Sequence, residues 1–329
     1  MLIKLKGENS LQRAAIGVDL GGTNLRFGLV REDEKIISRR RTGTMAAEGV
    51  EIVLERLTSG IQTLAMKAES TGLEVAGIGI GVPGIISVRD GIVRLSPNLP
   101  GWQDVPLRSR LSESFQYPVY VENDANAYAL GEYWFGAGKG AKSMVCITLG
   151  TGVGGGIILD GHVWRGADGM AGEVGHITVN PDGPLCPCGN RGCLERYSSA
   201  TAVMEMAAQA ASGSGKTALK TLLKSGLLTP EAIANAAKKG DREAVRIYSE
   251  AGKYLGIAVA DLIDLLNMEC IVIGGGMSGA WELIIGPLKE EVQARAFKIP
   301  AGRCRILRGR LKDDAGILGA AGLALKTNP

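Results

Sequence analysis

Four side chains with metal-binding chemistry lie within 18 residues near the middle of the chain. They are one of the two histidines and three of the six cysteines of the sequence, namely His176, Cys186, Cys188 and Cys193. One imidazole nitrogen and three thiolates suit tetrahedral Zn²⁺, and four protein ligands leave no open position on the metal. The spacing therefore predicts a structural zinc site, with a redox pair or unrelated buried thiols as the alternatives.

A glycine-rich turn near the start of the chain has the composition of a phosphate-binding loop. The run DLGGTN extends from Asp19 to Asn24. Gly21 and Gly22 let backbone amides approach an anion closely, and Thr23 adds a hydroxyl. The carboxylate of Asp19 comes at the end of a predicted strand, where it can hold Mg²⁺ directly or through water. An ordinary hairpin turn is the alternative for this run taken alone.

Two further glycine clusters follow predicted strands. The run LGTGVGGG repeats the strand, turn, strand pattern, and its candidate phosphate-binding residues are Gly150, Thr151 and Gly152. This weak internal duplication predicts two related α/β lobes around a cleft, each with one phosphate-facing hairpin. The run IVIGGGMSGA is a candidate cradle for the base and ribose of a nucleotide, with simple strand-to-helix packing as the alternative; its glycines are Gly274, Gly275 and Gly276.

A carboxylate at the junction of a strand and a helix is the candidate general base. The run VENDANAYALGE places Asp124 at the end of a predicted strand and the start of a predicted helix. A carboxylate there caps the helix, or it accepts a proton from an attacking hydroxyl, as phosphoryl transfer to an alcohol requires. Asn123 beside it can hydrogen-bond the same substrate. The residues alone leave both interpretations of Asp124 open.

Charge and composition argue against several classes of protein. The chain has 37 basic and 34 acidic residues without a long block of like charge, so we expect no nucleic-acid partner and no membrane contact. The cysteine spacing does not match a C₂H₂ finger, and a basic recognition helix is missing. We find neither the apolar core of a signal peptide nor a transmembrane stretch, which predicts a cytoplasmic location.

Three runs match nucleotide-binding motifs but lack the flanking strands and helices that those motifs require. The run SGSGKT at residues 212–217 lacks the first glycine of a P-loop and follows a helical pattern, so we predict a loop between helices. Two G-x-G-x-x-G matches begin at Gly79 and Gly150, but strand patterns follow both of them. A dinucleotide fingerprint must open a helix, so neither match predicts a Rossmann turn.

Short β-rich runs alternate with longer helical patterns, which predicts an α/β fold. We expect a helix at about residues 47–67, a Pro/Gly-rich loop at 83–101 and a long helix at about 241–266. Thr229 before Pro230 has the pattern of a helix cap. An Ala/Gly-rich helix at the end of the chain can pack tightly against another element.

The predicted domain boundary lies near residue 124. Residues 1–123 would form the N-terminal lobe, completed by the C-terminal helix at 314–329. Residues 124–313 would form the C-terminal lobe, which includes the zinc-binding loop. No segment has the composition of a disordered linker, so we expect a hinge at this boundary.

Taken in order along the chain, these motifs resemble those of the ROK family of repressors and sugar kinases. The matching runs are DLGGTN, GVPG, SPNLPGW, ENDANA, LGTGVGGG, GEVGH, CPCGNRGCLE and IVIGGG. The resemblance extends from about Ala14 to Leu325 and is greatest to the bacterial zinc-containing glucokinases. It implies the actin-like, hexokinase-type ATPase fold. It also implies ATP-dependent phosphorylation of a hexose at its 6-hydroxyl. The expected reaction is the conversion of glucose to glucose 6-phosphate.

The resemblance also implies roles for particular residues. The two hairpins would bind the phosphates of ATP, the third glycine cluster would lie at the adenosine, and Asp124 would be the catalytic base. The four zinc ligands are those already named. The implied sugar-binding residues are Asn98, Asn123, Asp124, Glu173, His176 and Glu195.

The resemblance leaves other activities and partners open. N-acetylglucosamine, N-acetylmannosamine, fructose and mannose are alternative substrates, and a non-catalytic sugar sensor is the alternative from a different class. Repressors of the family carry a helix-turn-helix before the first phosphate motif, whereas only about 15 residues precede that motif's strand here, so we expect no DNA binding. The resemblance also implies a homodimer or a homotetramer.

Overall fold

The computed structural model describes residues 12–326. These residues divide into two compact units. Unit 1 consists of the described residues up to Phe135 and those from Asp314 onwards, and unit 2 is Gly136–Asp313. The sequence predicts a boundary near residue 124, but the helix that begins there belongs to unit 1.

The elements up to Phe135 are β1 Gln12–Leu20, β2 Asn24–Arg31, β3 Ile36–Gly43, α1 Val50–Ser70, β4 Leu73–Val82, β5 Ile85–Ser87, β6 Ile92–Leu95, β7 Gln103–Val105, α2 Leu107–Ser112, β8 Val119–Asn123 and α3 Asp124–Phe135. Unit 2 contains β9 Met144–Leu149, β10 Val153–Leu159, β11 His162–Val163, α4 Glu195–Ser198, α5 Ala200–Ser212, α6 Leu219–Lys224, α7 Pro230–Lys238, α8 Arg242–Leu266, β12 Cys270–Gly274, α9 Trp281–Arg295, α10 Lys298–Arg303 and β13 Arg305–Arg308. The last helix, in unit 1, is α11 Asp314–Leu325. Short 3₁₀ helices occupy Ala46–Glu48, Val174–His176 and Gly276–Ala280.

Each unit is built on a five-stranded sheet, and the two sheets have the same topology. The strand order is β3-β2-β1-β4-β8 in unit 1 and β11-β10-β9-β12-β13 in unit 2. In both sheets the first three strands along the chain are antiparallel, whereas the fourth and fifth are parallel to the first. This repeat confirms the duplication predicted from the two glycine hairpins, which connect β1 to β2 and β9 to β10.

The core of unit 1 lies between its sheet and α1. Alternate side chains of β1 and β2 point to this face, and the fully buried Phe27 packs with the buried leucines of α1 in one apolar cluster. On its other side, α11 packs against α3, β1 and β4. The tight packing expected of the terminal Ala/Gly-rich helix is therefore confirmed. The same contacts explain why α3 belongs to unit 1.

The core of unit 2 is built around the long helix α8, which packs mainly against α9. Both predicted helix starts are confirmed, because Thr229 and Asp241 accept hydrogen bonds from the amides of Ala232 and Ala244. The run SGSGKT lies between α5 and α6, as predicted for a loop. No helix within residues 12–326 combines the length and hydropathy needed to cross a bilayer.

The expectation of a continuous loop over residues 83–101 is wrong. This segment contributes β5 and β6 to a three-stranded antiparallel sheet, which β7 completes. A hairpin with Gly91 in the left-handed region (φ 68°) joins the two strands. The two strands are only three and four residues long, so the prolines and glycines of the segment dominated the sequence pattern.

Candidate active site and metal centre

The four predicted zinc ligands converge in unit 2. His176 ends the short 3₁₀ helix Val174–His176, and the three cysteines lie on the loop that precedes α4. Their ligand atoms all lie within 4.8 Å of one another. The Cys188 and Cys193 sulfurs are 3.7 Å apart, and the Cys186 sulfur is 3.8 Å from Nδ1 of His176. These distances match the roughly 3.8 Å edge of a tetrahedron with Zn–S bonds of about 2.3 Å.

The chemistry of the thiols also fits a cation at this position. Burial raises the pKa of the Cys193 thiol to about 12, whereas the Asn190 amide lowers the pKa of the exposed Cys188 thiol. A buried thiol in such surroundings becomes a stable thiolate when a metal ion neutralises it. The residues therefore fit Zn²⁺ in both geometry and donor type.

The cysteine-containing loop is fixed to α8 by polar and aromatic contacts that the sequence analysis missed. The Asn180 side chain donates to the Tyr197 hydroxyl at 3.0 Å. Tyr197 in turn stacks on Tyr254 of α8, with ring centroids 3.8 Å apart. These residues are far apart in sequence and match no motif, so no local pattern indicated their contact.

The first hairpin presents backbone amides at the end of β1. The Gly21 amide donates to the carbonyl oxygen of Asn24 at 2.9 Å, which closes the turn. Within residues 12–326, the amides of Gly22 and Thr23 have no hydrogen-bond acceptor. These two amides are therefore available for an anion, whereas the Gly21 amide is used within the turn.

Asp19 and Asn98 both lie at this hairpin. The Asp19 carboxylate accepts a hydrogen bond from Arg26 on the adjacent β2 at 3.3 Å, and both side chains are partly exposed. The exposed Asn98 approaches from its loop, since a Cβ on Gly22 would lie 2.9 Å from the Asn98 carbonyl oxygen. Buried Leu99 and Trp102 anchor that loop in the core.

The second hairpin is in direct contact with Glu195, the first residue of α4. The Gly150 amide donates to the Gly152 carbonyl oxygen at 2.9 Å, and the Val153 amide donates to Oε2 of Glu195 at 2.9 Å. In the described part of the chain, the amides of Thr151 and Gly152 have no acceptor. Glu195, which the resemblance places at the sugar, thus accepts a hydrogen bond from the hairpin that the resemblance places at the ATP phosphates.

An added Cβ at position 152 would collide with the Glu195 carboxylate, which is the end of a flexible side chain and would have to move. We expect Gly152→Ala to displace Glu195 or the hairpin, at a cost of about 1–3 kcal/mol in transition-state stabilisation. Steady-state kinetics would show this as a lower kcat/KM. Gly286→Ala in α9 is the matched control, because a Cβ there meets open space. Equal values of kcat/KM for Gly152→Ala and Gly286→Ala would contradict a role of the Gly152–Glu195 contact in the reaction.

Asn123 and Asp124 both bind amides at the start of α3. The Oδ1 atom of Asn123 accepts from the Asn126 amide at 3.1 Å and so caps the helix. The Asn123 Nδ2 group donates to the Gly84 carbonyl oxygen at 3.1 Å. Asp124 is the first residue of α3, and its Oδ1 accepts from the Ala125 amide at 2.9 Å. Asn123 therefore provides a cap for α3 whatever else the Asp124 carboxylate binds.

A buried carboxylate below this junction was not predicted. Glu122 is only 1% exposed, and its Oε1 accepts from the Asn123 amide and from the side chain of Asn126. These bonds fix the backbone that carries Asn123 and Asp124. The only sequence signal was a charged residue within an otherwise apolar strand.

The third glycine cluster follows β12 and continues into the 3₁₀ helix that precedes α9. Gly275 has φ 81°, and a Cβ there would collide with the backbone of Leu149. Close packing against the end of β9 therefore explains Gly275, as the packing interpretation expected. Gly276 has open space around its Cα, and Gly274 ends β12.

The remaining predicted sugar-binding residues lie beside the metal centre. Glu173 is exposed and immediately precedes the 3₁₀ helix that ends in His176. Because Nδ1 of His176 faces the Cys186 sulfur, the ring's Nε2 lies on the side away from this ligand. Unit 2 thus brings Glu173, His176, Glu195 and the second hairpin together, and unit 1 holds the first hairpin, Asn98, Asn123 and Asp124.

Comparison with known proteins places the chain in a family. A sequence model of the ROK family matches residues 15–327. The chain therefore belongs to the ROK family, as the motifs predicted. Its resemblance to structures of ROK sugar kinases also confirms the predicted actin-like ATPase fold.

Three individual proteins show how this chain relates to the rest of the family. A glucokinase of Thermotoga maritima is 42% identical over 94% of this chain and 96% of its own length. A ROK glucokinase of Streptomyces griseus, crystallised with glucose and AMPPNP, is 36% identical with a TM-score of 0.82, over 95% of this chain and all of its own. A xylose repressor of Caldicellulosiruptor bescii is 37% identical over 94% of this chain and 77% of its own length.

Proposed function

We propose that this chain transfers the γ-phosphoryl group of ATP to the 6-hydroxyl of glucose. The observation that carries the proposal is its 42% identity to a glucokinase over 94% of the chain. The Streptomyces griseus relative, crystallised with glucose and AMPPNP, supports both substrates. The two hairpins with unpaired amides and the carboxylate of Asp124 provide groups for the corresponding chemistry.

In this proposal Asp124 is the general base. Its carboxylate orients the glucose 6-hydroxyl and accepts its proton as the oxygen attacks the γ-phosphorus in line. The products are glucose 6-phosphate and ADP. The amides of Gly22, Thr23, Thr151 and Gly152 stabilise the charge on the phosphate oxygens, and such positioning and charge stabilisation supply most of the rate.

Asp19 is the residue that would hold Mg²⁺, directly or through water. The ion would supply charge neutralisation of the ATP phosphates. The third glycine cluster, Gly274 to Gly276, is proposed to lie at the adenosine. Asp19 lies at the end of β1 beside the unpaired hairpin amides, which supports its placement near phosphate.

The proposed sugar contacts are the side chains of Asn98, Asn123, Asp124, Glu173, His176 and Glu195. Zn²⁺ at the four-residue cluster would supply a fixed orientation and tautomer of the His176 ring. With Nδ1 toward the metal, Nε2 remains to hydrogen-bond a sugar hydroxyl. With four protein ligands the metal would have no open position for a substrate. It would still affect sugar affinity through the His176 ring.

Coupled measurement of ADP release with a panel of hexoses tests the proposed function. We expect ATP-dependent turnover with the highest kcat/KM for glucose, compared with mannose, fructose, N-acetylglucosamine and N-acetylmannosamine. A higher kcat/KM for another sugar would reassign the substrate within the kinase class. The similarity to a xylose repressor favours a sugar sensor as the second candidate, and sugar binding without any ADP release would support it.

Two further expectations belong to this proposal. The resemblance implies a homodimer or homotetramer, which light scattering coupled to gel filtration distinguishes from a monomer. The cytoplasmic location expected from the sequence also remains a prediction.

A further inference from the structure

The first hairpin is held by a single threonine that the proposed reaction does not use. Thr44 follows β3 and is completely buried. Its hydroxyl donates to the carbonyl oxygen of Gly21 at 2.6 Å, and its amide donates to the carbonyl oxygen of Thr23 at 2.9 Å. One residue therefore binds two carbonyl groups of the same turn.

The second hairpin is also bound by one threonine hydroxyl and one backbone amide, but at different positions of the turn. The Thr201 hydroxyl donates to the carbonyl oxygen of Thr151 at 2.8 Å. The amide of the preceding residue, Ala200, donates to the carbonyl oxygen of Gly150 at 2.8 Å. In each unit, then, one threonine hydroxyl and one backbone amide bind two carbonyl oxygens of the glycine turn.

The shared topology of the two sheets does not account for this pattern. Thr44 follows the third strand of unit 1, whereas Thr201 lies in the first turn of a helix, α5. The corresponding third strand of unit 2, β11, supplies no such bond to the hairpin. Two unrelated elements thus each bind a carbonyl oxygen of a glycine turn through a threonine hydroxyl, although the two carbonyls lie at different positions of their turns.

Peptide geometry explains what these bonds do. In a trans peptide the carbonyl of one residue and the amide N–H of the next point in opposite directions within one plane. A hydrogen bond to the Gly21 carbonyl therefore fixes the direction of the Gly22 N–H. In the same way, the bond to the Thr151 carbonyl fixes the direction of the Gly152 N–H. Both of these amides lack an acceptor in the described structure.

Without the hydroxyls, these peptide groups would be easier to rotate. Glycine populates both signs of φ readily, so a plane next to Gly22 or Gly152 can turn over at low cost. An amide that turns away no longer binds an anion and presents a carbonyl oxygen in its place. Fixing its direction before binding removes an ordering cost from the affinity for the anion.

We propose that Thr44 and Thr201 are positioning residues whose hydroxyls hold the Gly22 and Gly152 amides toward the phosphates of the nucleotide. This role rests on the proposed function, in which both hairpins bind ATP. Neither threonine touches the substrate in this proposal. Each acts through the carbonyl oxygen of its hairpin.

Valine and serine variants test the hydroxyls directly. Thr44→Val and Thr201→Val remove the hydroxyl and keep the side-chain shape, and we expect each to raise the KM for ATP about tenfold. We expect the dissociation constant for glucose, measured without nucleotide, to change by less than about twofold. Thr44→Ser and Thr201→Ser keep the hydroxyl, and we expect them to restore the KM for ATP.

Thr71→Val is the matched control, because the Thr71 hydroxyl donates to a carbonyl oxygen, that of Lys67, at 2.8 Å at the end of α1. We expect no change in the KM for ATP there. Thr201 is only partly buried, so its valine variant gives a result even if Thr44→Val does not fold. An unchanged KM for ATP in the valine variants, or serine variants as impaired as valine variants, would overturn the proposal.

Calorimetric titration with AMPPNP in the absence of sugar separates this proposal from the proposed function. Weaker AMPPNP binding by the valine variants supports the positioning role, even if the unmodified chain phosphorylates no hexose. Normal glucose phosphorylation with unchanged AMPPNP affinity in the valine variants would refute the positioning role and leave the proposed function intact.

Discussion

Asp124→Asn is expected to lower kcat for glucose phosphorylation about a thousandfold, with little change in glucose affinity. The variant removes the group that accepts the proton of the 6-hydroxyl, and general bases of this kind contribute about 10²–10⁴-fold to rate. The asparagine side-chain oxygen can still accept from the Ala125 amide, the bond that Oδ1 of Asp124 makes now. Because Asn123 provides the helix cap, we expect the fold to be unaffected.

Steady-state kinetics and calorimetric glucose titration together check this expectation. Asp261→Asn is a matched control, since Asp261 is an exposed residue of α8 that lies outside every proposed contact. We expect that control to keep the kcat and the glucose affinity of the unmodified chain. Near-normal turnover of Asp124→Asn would remove Asp124 from the role of base.

Loss of zinc is expected to weaken glucose binding about 10- to 100-fold, the range typical when a supporting contact of a metal ligand is lost. Cys188→Ala removes one of the four ligands, so the His176 ring and its loop are no longer fixed. The amides of the hairpins lie outside this cluster, and we expect the affinity for AMPPNP to stay within about twofold. Calorimetry with each ligand, together with elemental analysis for zinc, measures the effect.

Cys304→Ala is the control for the zinc prediction. Cys304 is buried and lies outside the metal cluster, so we expect the zinc content and glucose affinity to be unchanged. Unaltered glucose affinity in a Cys188→Ala protein shown to lack zinc would contradict the link between the metal and the sugar. Equal losses of glucose and AMPPNP affinity would indicate general unfolding instead.

The sequence predicted most of the fold because its signals were local. Glycine turns between β-rich runs indicated the strand, turn, strand units, and Thr229 before Pro230 marked a helix start through capping chemistry. Local patterns did not reveal β5 and β6, because these strands are only three and four residues long. Local patterns also placed the domain boundary before α3, because packing of α3 against α11 depends on a contact between distant segments.

The candidate site likewise contains residues that the sequence predicted and residues that it did not. A dense motif indicated the candidate zinc ligands, and the structure brings their side chains together. By contrast, the residues that support the motifs carried no local signal. Thr44 and Thr201 resemble any other threonine in the sequence, and their role emerges only when their hydroxyls are seen on the hairpin carbonyls. The bond between Glu195 and the Val153 amide likewise joins residues 42 positions apart.

Identification of the product tests the central claim most directly. The unmodified chain would be incubated with ATP, Mg²⁺ and ¹³C-labelled glucose, and the products followed by ¹³C and ³¹P NMR. The proposal predicts a phosphate ester on carbon 6, with one ADP formed for each glucose consumed. Glucose that binds but stays unmodified, or a phosphate on another carbon, would contradict it.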